Sequence, residues 1–236
     1  MSRHKVLFLV TSHDQMGDTG HKTGFWLEEV AAPYYILADA GAEITVASPK
    51  GGEAPIDPTS QKDDWQTDAT RRFNEDAAVR QKFANTAKLA DVAAQDFDAV
   101  FVPGGHGPMW DYPGHPVVKA VLEDFHNQGK PLAAVCHGPA ALVDLQDQNG
   151  EPLVKGKTIT AFTDSEETAV GLHEAVPFML ETRLRELGAN FEAGNDWEPK
   201  VHRHGLLITG QNPASSVLAA NAVLEALNER QQAAAE

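Results

Sequence analysis

The chain has one cysteine in 236 residues. No internal disulfide can staple the fold, and any role for its thiol must come from the surroundings of Cys136. Positive charge is also short: 19 Lys and Arg face 34 Asp and Glu, a formal net charge of -15. Binding to nucleic-acid phosphates needs a Lys/Arg excess, so that function class is excluded. No stretch reaches the roughly 18 uninterrupted apolar residues of a membrane-spanning helix. The start, Met1-Ser2-Arg3-His4-Lys5, runs into a strand pattern without the apolar core of a signal peptide. An unpaired cysteine without an export signal fits a reducing compartment, and a cytoplasmic location is expected. Ten histidines are scattered along the chain with no zinc-ligand spacing, so no metal is expected. Gly104-Gly105-His106-Gly107 lacks the Gly-x-Gly-x-x-Gly order of a dinucleotide loop, and no cofactor is expected.

What is present is the patterning of a globular α/β chain, with 42% hydrophobic and 22% charged residues. The length fits one large domain over residues 1–236. Continuous apolar runs at Lys5 to Thr11, Ala42 to Ser48, Phe97 to Val102, 131–135 and Leu206 to Thr209 predict strands covered on both faces; Thr158 to Phe162 predicts a short one. Between them, helices are predicted over Gly24 to Ala40, 69–94, Pro116 to Gln128, beyond Pro139, over Val176 to Leu187 and over Pro213 to Leu227, with fraying over 231–236. Pro33 is a kink candidate in the first helix. Residues 50–68, rich in Gly, Pro and Asp, read as an insertion or lid. Alternating strands and helices predict a doubly wound, flavodoxin-like, mostly parallel sheet with helices on both faces. Ligands bind such sheets outside the carboxyl ends of the strands, where Cys136 and the Gly104-Gly105 turn both fall.

Cys136 stands where the apolar run of 131–135 meets Gly138-Pro139 and a predicted helix start. A buried cysteine is commonly inert packing. At a strand-to-helix elbow, however, amides of the following helix would face the sulfur and lower its pKa, which predicts a reactive thiol. Glycines 104 and 105 end a buried strand, where backbone can approach a ligand closely.

Four strings, Pro103-Gly104-Gly105-His106-Gly107, Val135-Cys136-His137-Gly138-Pro139, Phe162-Thr163-Asp164 with Glu166-Glu167, and Thr209 through Ser215, together resemble the ThiJ/PfpI superfamily. The resemblance runs from about residue 5 to about residue 225 and is nearest to the glyoxalase III and HchA-like chaperone branch. It implies a glutamine-amidotransferase-like fold with a nucleophile elbow. It also implies Cys136 as nucleophile, His137 beside it, and an acidic partner on the first helix, where Gly24, Glu29 and Pro33 match the family spacing. Glu28 lies about 100° around a helix from Glu29, so the two cannot share one role. For the acid of a Cys-His-acid triad, Glu167 is the leading candidate, with Glu166 and Asp164 as alternatives. A capping box from Asp164 to Glu167 fits the same spacing. The amides around Gly105 and His106, after Gly104 and together with that of His137, are candidates for an oxyanion pocket.

The implied activity is that of a glutathione-independent glyoxalase of the D-lactate dehydratase type, acting on a small reactive carbonyl through Cys136 and a Glu29 proton shuttle. Alternatives from other classes are a holdase chaperone binding unfolded clients, a cysteine redox or stress-response protein, and a Cys-His amidohydrolase, peptidase or deglycase. A homodimer is implied by the resemblance alone. Trp26 and Trp110 are placed to wall a pocket, Trp65 and Trp197 read as core or rim, and Gln211 to Ser215 reads as a connection capping the last helix. His202 and His204 alternate as residues on one strand face do.

Overall fold

The computed structural model describes residues 3–234. The first half of the chain runs β1 (Lys5–Leu9), α1 (Leu27–Asp39), β2 (Glu43–Ser48), α2 (Asp68–Glu75), α3 (Ala77–Ala84), β3 (Ala87–Lys88) and β4 (Ala99–Val102). It continues through α4 (Pro108–Asp111), α5 (Pro116–Asn127), β5 (Leu132–Val135), β6 (Thr158–Ile159), α6 (Asp164–Ala169) and α7 (Leu180–Glu186). The last elements are β7 (Asn190–Phe191), β8 (Val201–His204), β9 (Leu207–Gly210) and α8 (Ser216–Ala233). Seven strands form one sheet in the order β3-β2-β1-β4-β5-β9-β8, parallel except for β8 at the edge. Strands β6 and β7 pair separately. The order reverses between β1 and β4, the switch point at which doubly wound sheets open a crevice.

Side chains alternate across the sheet with a period of two, and each set buries its own layer. Leu7, Leu9, Val100, Val102, Leu132 and Ala134 share a core with Val118, Leu122 and Phe125 of α5. Val6, Phe8, Phe101, Ala133, Val135 and Ile208 share the other with Val30 and Leu37 of α1 and Ala219 and Val223 of α8. No helix among the described residues is long and apolar enough to cross a membrane.

Several elements differ from the sequence reading. The 69–94 stretch is not one helix: Asp76 accepts the Val79 N–H and starts α3 afresh, and the chain then enters β3 and two 3-10 turns. Immediately after Cys136 the chain forms a 3-10 turn over Gly138–Leu142 in place of the expected α-helix. The polar run after Val143 offers no apolar face to carry a helix further. The helix predicted from Val176 begins at Leu180, and Thr158–Ile159 belongs to the small second sheet. The closing helix does not fray at residue 231 but continues to Ala233, while residues 235 and 236 lie outside the described part.

The 50–68 segment is fastened to the fold. Ser60 Oγ accepts the Leu27 N–H at the first turn of α1, and Asp57 is buried, accepting from Thr23 Oγ1 and the Thr59 N–H. It thereby fixes where α1 starts.

Candidate active site

Three strand ends converge on Cys136. Its backbone lies in the left-handed region at φ 59°, a conformation a non-glycine residue holds only when its surroundings enforce it. Two hydrogen bonds enforce it here: the Cys136 N–H donates to Gly210 O at 2.9 Å, and its carbonyl accepts the Phe162 N–H at 2.9 Å. At Gly138 a Cβ would lie 2.2 Å from Val102 O, so only glycine lets the chain leave the elbow beside β4.

Glu29 comes from the first turn of α1 and is fully buried. Pro33 leaves the Glu29 carbonyl without its usual helical donor four residues on. Glu29 Oε2 accepts the Gly104 N–H at 2.6 Å, and Oε1 is buried on the side of the cysteine without a hydrogen-bond partner. Burial raises the Glu29 carboxyl to about 8, against the Cys136 and Gly104 contacts that favour the charged form. At neutral pH the carboxyl is therefore mostly protonated. Burial and the neighbouring Glu29 push the Cys136 thiol well above its ordinary value, while the Gly105 N–H pulls the other way. The sequence predicts a thiol lowered by helix amides; with only a 3-10 turn beyond Cys136, burial dominates instead.

Glu28 points elsewhere, accepting Thr67 Oγ1–H at 2.6 Å at the N-cap of α2.

The imidazole of His137 bridges sulfur and acid. Its Nδ1 lies 3.3 Å from Cys136 Sγ, and its Nε2 lies 2.5 Å from Glu167 Oε2. His106 Nε2 meets the other oxygen, Glu167 Oε1, at 2.7 Å. A carboxylate only accepts, so both Nε2 atoms carry hydrogen and donate, leaving His137 Nδ1 as the acceptor for the thiol. Burial alone would raise Glu167, but the two imidazoles hold it far below the usual carboxylate range. Burial and His106 lower His137, so it is neutral at neutral pH. His106, His137 and Glu167 are also the one group among the described residues whose donor atoms, within 4.8 Å of one another, lie close enough to share a metal ion. Here those atoms are engaged in hydrogen bonds with one another.

The capping box of α6 sits one residue before the expected one. Thr163 is the N-cap and Glu166 its return partner, in the pattern Thr-x-x-Glu. Glu166 is fully buried; its Oε1 accepts from the Trp197 N–H, Gln211 Nε2 and Asn212 Nδ2. This leaves Glu167, a further 100° around the helix, to face the histidines. Asp164 turns away to Thr182. Of the three acids weighed for the triad, only Glu167 reaches His137.

Gly104 departs from the oxyanion assignment, because its N–H is already taken by Glu29. The amide of Gly105 faces the sulfur instead. Gly105 has φ 86°, and a Cβ there would lie 2.2 Å from Gly24 O. Gly105→Ala therefore combines left-handed strain with a backbone overlap, and should cost about 3 kcal/mol or more. The check is urea unfolding of wild type and variant side by side.

Over the elbow lies a cavity of about 500 Å³. Cys136, His137, Gly105 and His106 line its floor, and Trp26, Trp65, Phe162 and Trp197 are among its walls.

Residues 20–226 match the DJ-1/PfpI family. The chain belongs to that family. Among curated relatives, Glyoxalase 3 of Candida albicans is 31% identical, covering 94% of this chain and 98% of its own. The glutathione-independent glyoxalase HSP31 of Saccharomyces cerevisiae is 32% identical, covering 96% and 99%. The crystal structure of glyoxalase III from Candida albicans superposes with a TM-score of 0.86 at 29% identity, covering 94% of this chain and 97% of that one. The flavodoxin-like sheet is thus the DJ-1/PfpI fold, with the elbow cysteine at its switch-point face.

Within this DJ-1/PfpI chain the structure brings Cys136, His137, Glu29, Glu167, Gly105 and His106 together. The His106 ring, its centroid 4.0 Å from that of His137 with the planes tilted by 40° and its Nε2 bonded to Glu167, is outside what the sequence predicts, which uses only the His106 amide. Strand periodicity places that residue at a strand end but cannot orient a ring in a turn. Trp110, expected as a pocket wall, stacks on His13 at 5.3 Å and is not among the lining residues. Trp26, the other expected wall, does line the cavity, and Trp65 and Trp197 line it as well.

Proposed function

We propose that the protein is a glutathione-independent glyoxalase, converting methylglyoxal to D-lactate and glyoxal to glycolate. One observation carries the reading: a fully buried carboxyl, Glu29, protonated up to about pH 8 and set against the lone thiol. An acid poised near working pH can first give and then take a proton. The near-full-length likeness to relatives named as glyoxalases supports the same activity.

The steps balance within the site. Cys136 sulfur adds to the aldehyde carbon, its proton passing to His137 Nδ1 at 3.3 Å while Glu167 steadies the imidazolium. Glu29 gives its proton to the aldehyde oxygen, closing the hemithioacetal and becoming a carboxylate. The carboxylate then takes the hydrogen from the aldehyde carbon as His137 protonates the ketone oxygen, which produces an enediol. Glu29 returns its proton to the former ketone carbon, and the proton of the first hydroxyl leaves to the emptied carboxylate. The product on sulfur is a 2-hydroxyacyl thioester. Water, deprotonated by neutral His137, attacks the thioester, and the sulfur leaves and regains its proton. The aldehyde carbon is oxidised and the ketone carbon reduced, so no external oxidant is needed. The Gly105 amide lies where it can steady charge near the sulfur. In this reading residues 50–68 form a fixed wall of the site, within a single catalytic unit.

The experiment is to follow loss of methylglyoxal by purified protein with glutathione absent and then present. Because glutathione itself binds methylglyoxal as a hemithioacetal, rates are compared at equal free methylglyoxal, where the same enzyme-catalysed rate under both conditions is expected; a rate that appears only with glutathione contradicts the reading.

A second reading rests on the Cys136–His137–Glu167 relay, whose hydrogen bonds would also serve amide hydrolysis. Turnover of aminopeptidase substrates exceeding that of methylglyoxal would favour it.

A further inference from the structure

The glyoxalase chemistry uses only the floor of the cavity. A volume of about 500 Å³ lies in the range of roughly 300–1,000 Å³ typical of pockets for drug-sized ligands. Methylglyoxal, with three carbons, fills a small part of such a space. Most of the lining is apolar, with Met16, Val170 and Leu172 beside the aromatic rings.

Charge narrows the occupant. No Lys or Arg lines the cavity, so no fixed cation on its walls would pair with a carboxylate or phosphate. Asp57, the one carboxylate residue of the lining, is turned into its own loop by Thr23 and the Thr59 N–H. The site therefore suits an uncharged molecule.

Two aromatic pairs line the cavity that Cys136 also lines. Trp26 and Trp65 meet edge to face at 5.1 Å, and Phe162 and Trp197 meet at 5.8 Å. Phe162 in turn lies 4.4 Å from the His137 ring. Trp65 and Trp197 are each 43% exposed, which is apolar area that a ligand would bury. The position of Trp197 is built: its backbone sits at φ 67°, and its N–H is held at 2.9 Å by the buried Glu166, which also ties down Gln211 and Asn212. Strain kept at the rim of a reactive site fits a positioned binding residue.

We propose that the site prefers 2-oxoaldehydes whose ketone carbon bears a large, uncharged, apolar group, an aryl ring above all, over methylglyoxal and glyoxal. This rests on the glyoxalase reading and specifies its substrate class. The aldehyde carbon bonds to Cys136 and the ring lies between the aromatic pairs. Phenylglyoxal and water then give mandelate: the aldehyde carbon is oxidised, the ketone carbon is reduced, and sulfur is released. The added buried area should raise kcat/KM roughly 10- to 100-fold, mainly through KM.

The test is kcat/KM for phenylglyoxal, methylglyoxal and phenylglyoxal carrying a ring carboxylate, in wild type and in Trp65→Ala, Trp65→Phe and Trp197→Ala. A phenylglyoxal to methylglyoxal ratio of about 10 or more is expected. It should fall at least severalfold in the two alanine variants and be largely kept in Trp65→Phe, and the ring carboxylate should abolish the preference. Conversion of methylglyoxal with a ratio near one overturns the aryl preference and leaves the glyoxalase reading standing. A high ratio that neither alanine variant lowers overturns the assignment to these walls. Conversion of neither compound overturns both.

Discussion

Cys136→Ala should lower methylglyoxal turnover by roughly 10⁴-fold or more, to the level set by the surrounding groups without a nucleophile. The sulfur is the atom to which the substrate bonds, and no second cysteine exists to replace it. His137 and Glu167 would remain hydrogen-bonded to each other at 2.5 Å, but would have no thiol to serve. Folding should survive, because alanine keeps the Cβ and the two backbone bonds that clamp the elbow. Steady-state kinetics together with an unchanged circular dichroism spectrum would check both parts.

Glu29→Gln should lower kcat by about 10³-fold, within the range of roughly 10²–10⁴ carried by one positioned acid-base group. The amide can still accept the Gly104 N–H, so the loss belongs to proton transfer more than to position. The wild-type pH profile should carry the signature of this carboxyl. Glu29 must be protonated when sulfur adds, so kcat/KM falls as pH rises through about 8. The residual activity of Glu29→Gln should lack that alkaline limb.

Stability gives an independent reading of the same group. The folded-state pKa of Glu29 lies above its ordinary 4.5, so its contribution is fully present below about pH 4.5 and is lost as pH rises through about 8. The loss is on the order of 4 kcal/mol between pH 4.5 and pH 9, because the buried carboxyl must ionise in the folded state against its surroundings. Glutamine does not titrate. Thermal melts should therefore show Glu29→Gln gaining on wild type as pH rises, with the largest gap near pH 9.

The parallel core strands were legible because apolar runs bounded by Gly and Pro have few other uses, as at Phe97 to Val102 and 131–135. The two-residue strands β6 and β7 carry too few residues for periodicity to register. Glu29 was found through its spacing from Gly24 to Pro33 in the family resemblance; periodicity alone left both first-turn glutamates equivalent. Their fates diverge only on packing, with Glu28 on Thr67 and Glu29 beneath Gly104. The pattern Thr163-x-x-Glu166 was present in the sequence as a capping box, and reading it one residue early would have separated the structural acid from the one facing His137. The state of the thiol was beyond reach, since it depends on how short the turn after Cys136 is and on how completely the sulfur is enclosed.

The most direct measurement is D-lactate formed per methylglyoxal consumed, by wild type and Cys136→Ala in parallel, with glutathione absent. One D-lactate for each methylglyoxal lost from wild type, and none above background from the variant, is the predicted result. Consumption without D-lactate, or equal D-lactate from both proteins, would contradict a glyoxalase built on Cys136.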